Sequence, residues 1–417
     1  MTFCARSRPG RTRTTLLNIV VVAATMAFVM GLASGATAFA QPSAPLTTFT
    51  AWATSADFQS GQFDHTRPTV VAGRPAVVLS AGAQAGTWTS PVHDQPVPIG
   101  DLVSSWQAST PVGTRIEMRL SIKVANHWSQ WYIMGKWAFE DTPPAQRTSV
   151  NGQSDADGTI YTDTYVSGSN GKPSAYRLRI SLLGTPSRSP QVYQVAATTS
   201  NVTSAPATSS PTLGHAVDLP LPQYSQEIHA GEYPAYGGGG EVWCSPTSTA
   251  MVLAYWHRGP TAADLASLPP DPVFDAHGRV DAQVDWAAIH TWDVAYEGTG
   301  NWPFNTAYAS AYGLDGSVRQ YASLPDVERW VQRLVPVVIA TAWDNTDTSP
   351  DNDLTGAPIP KSAGHLMVVR GFTASGDVIV NDPAAPTNSQ VRRVYRRAQF
   401  ERNWLNFGSG TTYIIKP

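Results

Sequence analysis

A cysteine lies at a position in this sequence where its side chain could act as a nucleophile. Cys244 follows a run of glycines, 237–240, and directly precedes a stretch of apolar and small residues with the length of a helix. The unpaired N–H groups and the dipole of a helix N-terminus favour negative charge, and therefore favour thiolate over thiol. Because the thiolate is the nucleophilic form, this position predicts covalent catalysis by Cys244.

The helix is expected to begin just after the cysteine. Ser245 is a suitable N-cap, and Pro246 suits the first helical position, where the N–H that proline lacks would have no intrahelical partner. Gly259-Pro260 is expected to end the helix. The alternative is that Cys244 is a small buried hydrophobic residue, but such a residue would gain nothing from a helix start.

A thiolate catalyst needs an imidazole that keeps it charged and later protonates the leaving amine. His365 is the preferred candidate because it opens a predicted strand, 364–372, which is followed by a turn and a second predicted strand, 378–380. A hairpin centred between residues 373 and 374 would place Asp382 opposite His365, where its carboxylate could orient the imidazole. A shift of one residue would put Asn381 there instead.

The non-catalytic alternatives are a histidine whose hydrogen bonds are satisfied at the end of a strand, and an Asp-Pro turn that ends a strand. Either would be the simpler explanation alone, but a helix-start cysteine upstream favours the catalytic interpretation. The motif segments are Leu221-Pro222-Gln223-Tyr224-Ser225-Gln226, Trp243-Cys244-Ser245-Pro246-Thr247-Ser248 with Ala250-Met251, Gly364-His365, and Asn381-Asp382-Pro383.

Over roughly residues 219–417, these segments resemble the papain-like peptidases related to bacteriocin-leader, or double-glycine, processing enzymes, in their exported actinobacterial branch. The resemblance implies an α+β papain-like domain that needs no metal or organic cofactor. It implies Cys244 as nucleophile, His365 as general base and acid, and Asp382 as the orienting residue. It also implies Gln226 as side-chain donor of the oxyanion hole, with Gln223 as its nearest rival.

Weaker expectations concern substrate contacts and metals. Trp243, Trp302 and Gly364 are candidate substrate-binding residues, although aromatic residues more often pack in a core. The acidic stretch 344–353 lacks the glycine and closing glutamate of an EF-hand loop, and the sequence shows neither a cysteine-pair nor a His-x-x-x-His zinc pattern. We therefore expect no metal site.

The region before the candidate peptidase domain predicts a second, all-β domain. The domain is expected to span residues 41–201. From about residue 47 to 200, apolar and polar residues alternate with period two, most clearly along 116–124 and 176–182, which favours an antiparallel β-sandwich. Its tryptophans could bind sugars or extended peptides, but filling the core is the preferred interpretation. Residues 202–218 are rich in Ser, Thr, Ala and Pro and are expected to be an interdomain linker.

The N-terminal segment 1–40 predicts export. Arginines precede an apolar run, and the segment ends in Ala38-Phe39-Ala40, the order of a signal peptide cleaved after Ala40; an uncleaved anchor is the alternative. Cleavage would remove Cys4 and leave Cys244 as the single cysteine of a secreted chain, with no later membrane span. A net charge of −3 without basic runs argues against nucleic acid as a partner.

The sequence thus predicts a secreted cysteine peptidase that hydrolyses a peptide bond in a peptide or protein substrate, with the cell wall as one candidate source. Two alternatives stay open. The same triad could serve a cell-wall peptide amidase or a transpeptidase, because an amine can resolve an acyl-enzyme in place of water. A non-catalytic protein that binds wall polymer or peptide is the third interpretation. Oligomeric state and cleavage preference are not predicted.

Overall fold

The computed structural model describes residues 46–202 and 207–417. The predicted signal peptide, 1–40, and its cleavage site lie outside the described residues. In the part of the chain that is described, no helix has both the length and the apolar character needed to cross a membrane. The described residues form a β-rich N-terminal region and a following region that contains both helices and strands.

The N-terminal region contains one short helix, α1 (Ser55–Gln59), and a series of strands that pair only in antiparallel fashion. These strands are β1 (Thr47–Trp52), β2 (Gln62–Asp64), β3 (Thr66–Val71), β4 (Arg74–Leu79), β5 (Ala85–Thr89), β6 (His93–Asp94), β7 (Asp101–Ser109), β8 (Arg115–Val124), β9 (His127–Trp128), β10 (Tyr132–Trp137), β11 (Gly158–Tyr161), β12 (Thr164–Ser167), β13 (Ala175–Leu183) and β14 (Gln191–Ser200).

These strands form two seven-stranded sheets. The first has the order β11-β12-β7-β14-β4-β3, with β1 also on β14; the second has the order β10-β8-β13-β5-β2, with β6 on β13 and β9 on β8. The alternating segments predicted from the sequence are β8 and β13, which pair with each other so that Leu120 lies opposite Leu178. The large apolar side chains of both strands are buried, as their period-two pattern requires.

The tryptophans of this region divide into two groups. Trp88, Trp106 and Trp137 are fully buried and belong to the core, which is the interpretation preferred from the sequence. Trp128 and Trp131 are partly exposed and lie beneath arginine side chains, Arg177 over both rings and Arg179 over Trp131 alone.

The second region contains a third seven-stranded antiparallel sheet, of order β16-β21-β17-β18-β19-β20 with β15 on β18. Its strands are β15 (Val217–Asp218), β16 (Asp315–Gln320), β17 (Val337–Asp344), β18 (Lys361–Phe372), β19 (Val378–Asn381), β20 (Arg392–Tyr395) and β21 (Thr411–Lys416). Its helices are α2 (Cys244–Tyr255), α3 (Ala262–Ala266), α4 (Pro272–Ala276), α5 (Ala282–Thr291), α6 (Trp302–Ala311), α7 (Leu324–Gln332) and α8 (Arg397–Gly408). Short 3₁₀ helices span Glu227–His229, Pro234–Tyr236, Gly240–Val242 and Asn388–Gln390.

The two faces of this third sheet pack against different helices. Leu366 and Val368 of β18 belong to the core cluster that contains α2, α5 and α6. Met367 and Val369, which alternate with them, belong to a second cluster that contains α7 and α8. Because successive side chains of a strand point to opposite faces, β18 is covered on both sides and is the central element of this region.

The segment predicted as a linker is attached to the second region where the structure describes it. Ser209 donates hydrogen bonds from its N–H and its hydroxyl to the carboxylate of Glu401, at 2.8 and 2.6 Å. Val217 and Asp218, the last residues of the predicted linker, form β15 and pair with Phe372 and Gly371 of β18. The sheet of the second region therefore begins before residue 219.

The two regions share an interface built around a buried arginine. Arg147 of the N-terminal region donates to the carbonyl oxygens of Ile289 and Trp292 at the end of α5, at 2.7 and 2.8 Å, and to those of Ala138 and Phe139, both at 2.9 Å. Burial lowers the pKa of Arg147 to about 10. The guanidinium thus satisfies four carbonyl groups from both sides of the interface.

Replacing this arginine tests whether the two regions stabilise each other. Arg147→Ala would leave four carbonyl groups without their donor, and we expect a loss of about 3 kcal/mol or more in the free energy of unfolding. Arg188→Ala is the control, because Arg188 is exposed and donates one bond, to Val112; it should cost less than about 0.5 kcal/mol. Chemical denaturation measures both, and equal effects would contradict a structural role for Arg147.

Candidate active site

The helix that carries the candidate nucleophile begins one residue earlier than predicted. Helix α2 starts at Cys244 itself, and Trp243, not Ser245, is its N-cap. The carbonyl oxygen of Trp243 accepts hydrogen bonds from the N–H of Thr247 at 3.1 Å and from its hydroxyl at 2.7 Å. The Ser245 hydroxyl instead contacts the hydroxyl of Tyr413 at 2.9 Å. Cys244 therefore lies in the first helical turn, where the helix dipole acts most strongly on a sulfur.

The glycine run before the helix has a steric cause. Gly239 has φ +64° and ψ −158°, and a Cβ atom built on it would lie 1.8 Å from the carbonyl oxygen of His229. All four glycines of 237–240 have positive φ. Only glycine adopts such a backbone at low cost, so the run lets the chain pass closely over His229 before α2 begins.

Helix α2 is attached to β18 at one residue. The N–H of Leu366 donates to Cys244 Sγ at 3.3 Å, and the Leu366 carbonyl accepts from the Ser248 hydroxyl at 3.1 Å. Cys244 and Ser248 are four residues apart and so lie on the same side of the helix. The sulfur is thereby fixed beside the residue that follows His365.

The hairpin that contains His365 has a different register from the predicted one. The prediction pairs Asn381 with Leu366, whereas the structure pairs Asn381 with Val368, a shift of two residues. The turn closes later than predicted, with the N–H of Thr373 donating to the Asp377 carbonyl at 2.9 Å, and β18 has an irregularity between Val369 and Gly371. Strand β18 also begins at Lys361, so His365 lies within the strand and does not open it.

A shift of the strand register by an even number of residues keeps each side chain on its predicted face of the sheet. The predicted pair of His365 and Asp382 therefore still forms. His365 Nε2 lies 2.8 Å from Asp382 Oδ1. Asn381, the alternative candidate, instead accepts from Arg370 at 2.9 Å and donates to the Pro222 carbonyl at 2.8 Å. The structure thus brings Asp382, and not Asn381, to the imidazole.

Asp382 is a buried carboxylate with three hydrogen-bond donors. Besides His365, the Tyr395 hydroxyl donates to Oδ2 at 2.6 Å and the Ala384 N–H donates to Oδ1 at 3.0 Å. Burial alone would raise the pKa of Asp382, but the charge and hydrogen bond of His365 and these donors lower it below its ordinary value. Asp382 is therefore ionised at neutral pH and accepts a hydrogen bond from the N–H at His365 Nε2, which leaves Nδ1 to receive a proton.

Gln226 is attached to the chain segment that follows Asp382. Its N–H donates to the Pro383 carbonyl at 2.9 Å, and its side-chain Nε2 donates to Glu227 Oε1 at 3.1 Å. Gln226 is almost completely buried. Burial raises the pKa of the neighbouring Glu227, and the negative charges of Glu241 and Asp382 act in the same direction. A second amide hydrogen of Gln226 is available for another acceptor.

Trp343 is a site neighbour that the sequence did not indicate. Its ring meets the imidazole of His365 edge to face, with centroids 5.3 Å apart and planes at 86°. It also lines a cavity of about 410 Å³ with residues from β17, β18 and α8. No local pattern predicts this contact, because Trp343 reaches His365 only through the pairing of β17 with β18.

The predicted substrate-binding residues are placed as follows. Trp243 is fully buried and its indole N–H donates to the Tyr236 carbonyl at 2.8 Å, which anchors the start of α2. Trp302 is the first residue of α6, and its N–H donates to Asp163 of the N-terminal region at 2.7 Å. Gly364 lies in β18 beside His365. Their substrate contacts stay predictions.

The structure also brings together three ionisable residues that no sequence pattern indicates. His229, Glu232 and Asp285 converge beneath the 226–243 segment, and burial raises the pKa of Asp285 to about 7. Asp285 lies on α5, far from the other two in sequence, so spacing gave no signal.

Comparison with known protein families agrees with this geometry. Residues 48–200 match the Peptidase C39 N-terminal domain, in the form described for actinobacteria, and residues 219–412 match the Peptidase_C39 like family. The chain belongs to the papain-like C39 peptidase family and has the two-domain organisation of its actinobacterial branch. No curated protein matches the chain.

Solved structures give weaker similarities. A C39-like peptidase from Bacillus anthracis is 16% identical with a TM-score of 0.29, and the alignment covers 49% of this chain and 98% of that one. A fragment of prointerpain A from Prevotella intermedia is 15% identical with a TM-score of 0.29, covering 51% and 76%. A xylanase from Clostridium thermocellum is 10% identical with a TM-score of 0.21, covering 44% and 31%. Similarities at these scores imply nothing further about this chain.

Tyr395 is expected to act as a positioning residue for Asp382. Tyr395→Phe removes a donor to a buried carboxylate, so we expect kcat/KM to fall about tenfold. The substitution should also raise the pKa of Asp382 and move the acid limb of the pH profile of kcat/KM to higher pH. Tyr165→Phe is the control, because this buried tyrosine donates one bond, to the Asp157 carbonyl, in the N-terminal region. An unmoved acid limb in Tyr395→Phe would contradict the assignment.

Proposed function

We propose that this protein is a secreted cysteine peptidase in which Cys244, His365 and Asp382 form the catalytic triad. The observation that carries the proposal is the buried His365–Asp382 hydrogen bond of 2.8 Å next to a peptide group whose N–H donates to Cys244 Sγ. Family membership supports peptidase chemistry independently. We infer further that the two N-terminal sheets form an antiparallel β-sandwich and that the second region has the papain-like α+β fold.

In the first half-reaction the Cys244 thiolate attacks the carbonyl carbon of the scissile amide. A C–S bond forms, and the carbonyl oxygen becomes negatively charged. His365, protonated on Nδ1 and held by Asp382 through Nε2, then gives its Nδ1 proton to the leaving amine as the C–N bond breaks. In the second half-reaction Nδ1 takes a proton from water, which attacks the thioester, and breakage of the C–S bond restores the thiolate.

Stabilisation of the tetrahedral oxyanion is assigned to Gln226 and to the backbone N–H of Cys244. Gln226 is held by the Pro383 carbonyl and by Glu227, so its amide orientation is fixed before substrate binds. A preorganised amide costs no reorganisation when the charge develops. The N–H of Cys244 is in the first turn of α2, where backbone N–H groups have no intrahelical acceptor.

The substrate is proposed to be a peptide or protein outside the cytoplasm, with cell-wall peptides as one candidate class. Cleavage after Ala40 would leave Cys244 as the single cysteine of the mature chain. Cys244, His365 and Asp382 are each no more than 1% exposed.

The triad is tested on the chain without residues 1–40, which lacks Cys4, by the rate at which a fluorescent iodoacetamide alkylates Cys244. At pH 6 a paired thiolate should react about 100-fold faster than an ordinary thiol, so we expect His365→Ala to slow labelling about 100-fold. Cys244→Ala should not be labelled and should lose hydrolysis of a pool of internally quenched peptides. His215→Ala, at an exposed histidine, is the control. Labelling that persists unchanged in His365→Ala, or no labelling of the parent chain, would refute the triad.

The role of Gln226 is tested against its neighbour in sequence. Gln226→Ala is expected to lower kcat by about 100- to 1,000-fold with a much smaller change in KM, because the lost donor acts in the transition state. Gln223→Ala is the matched control and should change kcat less than about threefold. The iodoacetamide rate should be similar in both variants, since neither residue ionises the thiol. Equal losses of kcat in the two variants would contradict the assignment of Gln226 as an oxyanion donor.

A further inference from the structure

Three buried side chains with metal-ligating atoms converge beneath the segment that joins Gln226 to Cys244. His229 Nδ1 lies 2.7 Å from Glu232 Oε2 and 3.3 Å from Asp285 Oδ2. The three ligand atoms lie within 4.8 Å of one another. Each side chain is no more than 1% exposed, so the cluster is closed to bulk water.

The charges of this cluster are incompletely compensated. Glu232 and Asp285 place two carboxylates in a buried space, and within the described residues only histidines form ion pairs with them. Among the described residues, neither oxygen of Asp285 makes a hydrogen bond, because the nearby His229 Nδ1 is bonded to Glu232, and His229 Nε2 has no hydrogen-bond partner. Buried carboxylates without donors are costly, so a bound cation would stabilise the folded chain here.

We propose that His229, Glu232 and Asp285 bind one divalent transition-metal cation of the Zn²⁺ class. Imidazole nitrogen and carboxylate oxygen are both ligands of Zn²⁺ at about 2.0–2.2 Å, which places neighbouring ligand atoms of a tetrahedral site about 3.3–3.6 Å apart. The 3.3 Å separation fits this range, and the 2.7 Å hydrogen bond would lengthen by about 0.6–0.9 Å when a metal replaces its proton. The third separation, between the two carboxylates, is no more than 4.8 Å. Ca²⁺ is disfavoured because it takes oxygen ligands alone.

His277 completes the arrangement from outside. Its Nδ1 lies 2.6 Å from Glu232 Oε1, the oxygen that does not face His229, and its side chain is 41% exposed. An imidazole that donates to the outer oxygen of a ligating carboxylate fixes the orientation of that carboxylate. His277 also marks the side from which an ion could enter, because it is the exposed member of the group.

The ion has a structural role. Two ligands lie on the 226–243 segment and the third lies on α5, so binding fixes this segment to a helix of the domain core. The segment carries Gln226 at one end and leads into Cys244 at the other. The His229 ring also packs against Trp243, the N-cap of α2, with centroids 6.0 Å apart. Metal binding therefore supports the positions of both proposed oxyanion donors.

The test uses the chain with Cys244→Ala, because a cysteine next to a histidine could itself bind Zn²⁺. Equilibrium dialysis against buffered Zn²⁺, followed by elemental analysis, should give one equivalent per chain, and the bound ion should raise the Tm. Adding Asp285→Asn should weaken Zn²⁺ binding at least tenfold. Adding His215→Ala, at an exposed histidine outside the cluster, should leave binding unchanged.

Less than about one tenth of an equivalent bound to the Cys244→Ala chain would overturn the proposal, whatever the variants do. Binding of equal affinity after Asp285→Asn would also overturn it, since the ion would then lie elsewhere. If Asp285→Asn lowers the Tm of the metal-free chain below the dialysis temperature, Glu232→Gln replaces it with the same expectation. Because the readout is metal content in a chain without its nucleophile, the result is independent of the proposed peptidase activity.

Discussion

The attachment of one helix to one residue of β18 controls the geometry of the candidate site. The N–H of Leu366 donates to Cys244 Sγ, and the Leu366 carbonyl accepts from the Ser248 hydroxyl. Helix α2 therefore occupies the position beside β18 where a further strand could pair. Strand β19 ends at Asn381, opposite Val368. Pro383 cannot donate to a ladder, and Asp382 turns its side chain to His365. The end of β19 therefore makes room for the sulfur and supplies the carboxylate.

Burial of the His365–Asp382 pair costs desolvation free energy and also restricts the pair to one geometry. The His365–Asp382 pair is almost completely removed from solvent, and such a pair is stable only when its remaining hydrogen-bonding capacity is satisfied. Tyr395 and Ala384 supply the missing donors, and Trp343 covers one side of the imidazole. These neighbours keep the carboxylate charged and the ring in one orientation, which a triad requires.

The N-terminal region is packed onto the second region through a contiguous core. Trp106 and Trp137 of the N-terminal region meet Phe304 of α6, with ring centroids 6.2 and 5.5 Å apart. Arg147 and Asp163 add hydrogen bonds across the same interface. Phe304 lies in this interface and Trp302 lies beside it, because α6 packs between the two regions.

The local features of the protein could be predicted from short stretches of its sequence. Period-two alternation identified β8 and β13, and the glycine run and apolar stretch located the helix start within one residue of Cys244. The pairing of His365 with Asp382 was also predicted, although through a register that was wrong by two residues. It survived because an even shift preserves the face to which a side chain points.

The remaining contacts arise only in the folded chain, because they depend on pairings between distant segments. Tyr395 reaches Asp382 from β20, and Trp343 reaches His365 from β17. The cluster of His229 and Glu232 with Asp285 exists only because α5 packs beneath the 226–243 segment. Local patterns specify helices, strands and turns, whereas register and packing are selected by the burial of whole faces, which no short stretch of sequence encodes.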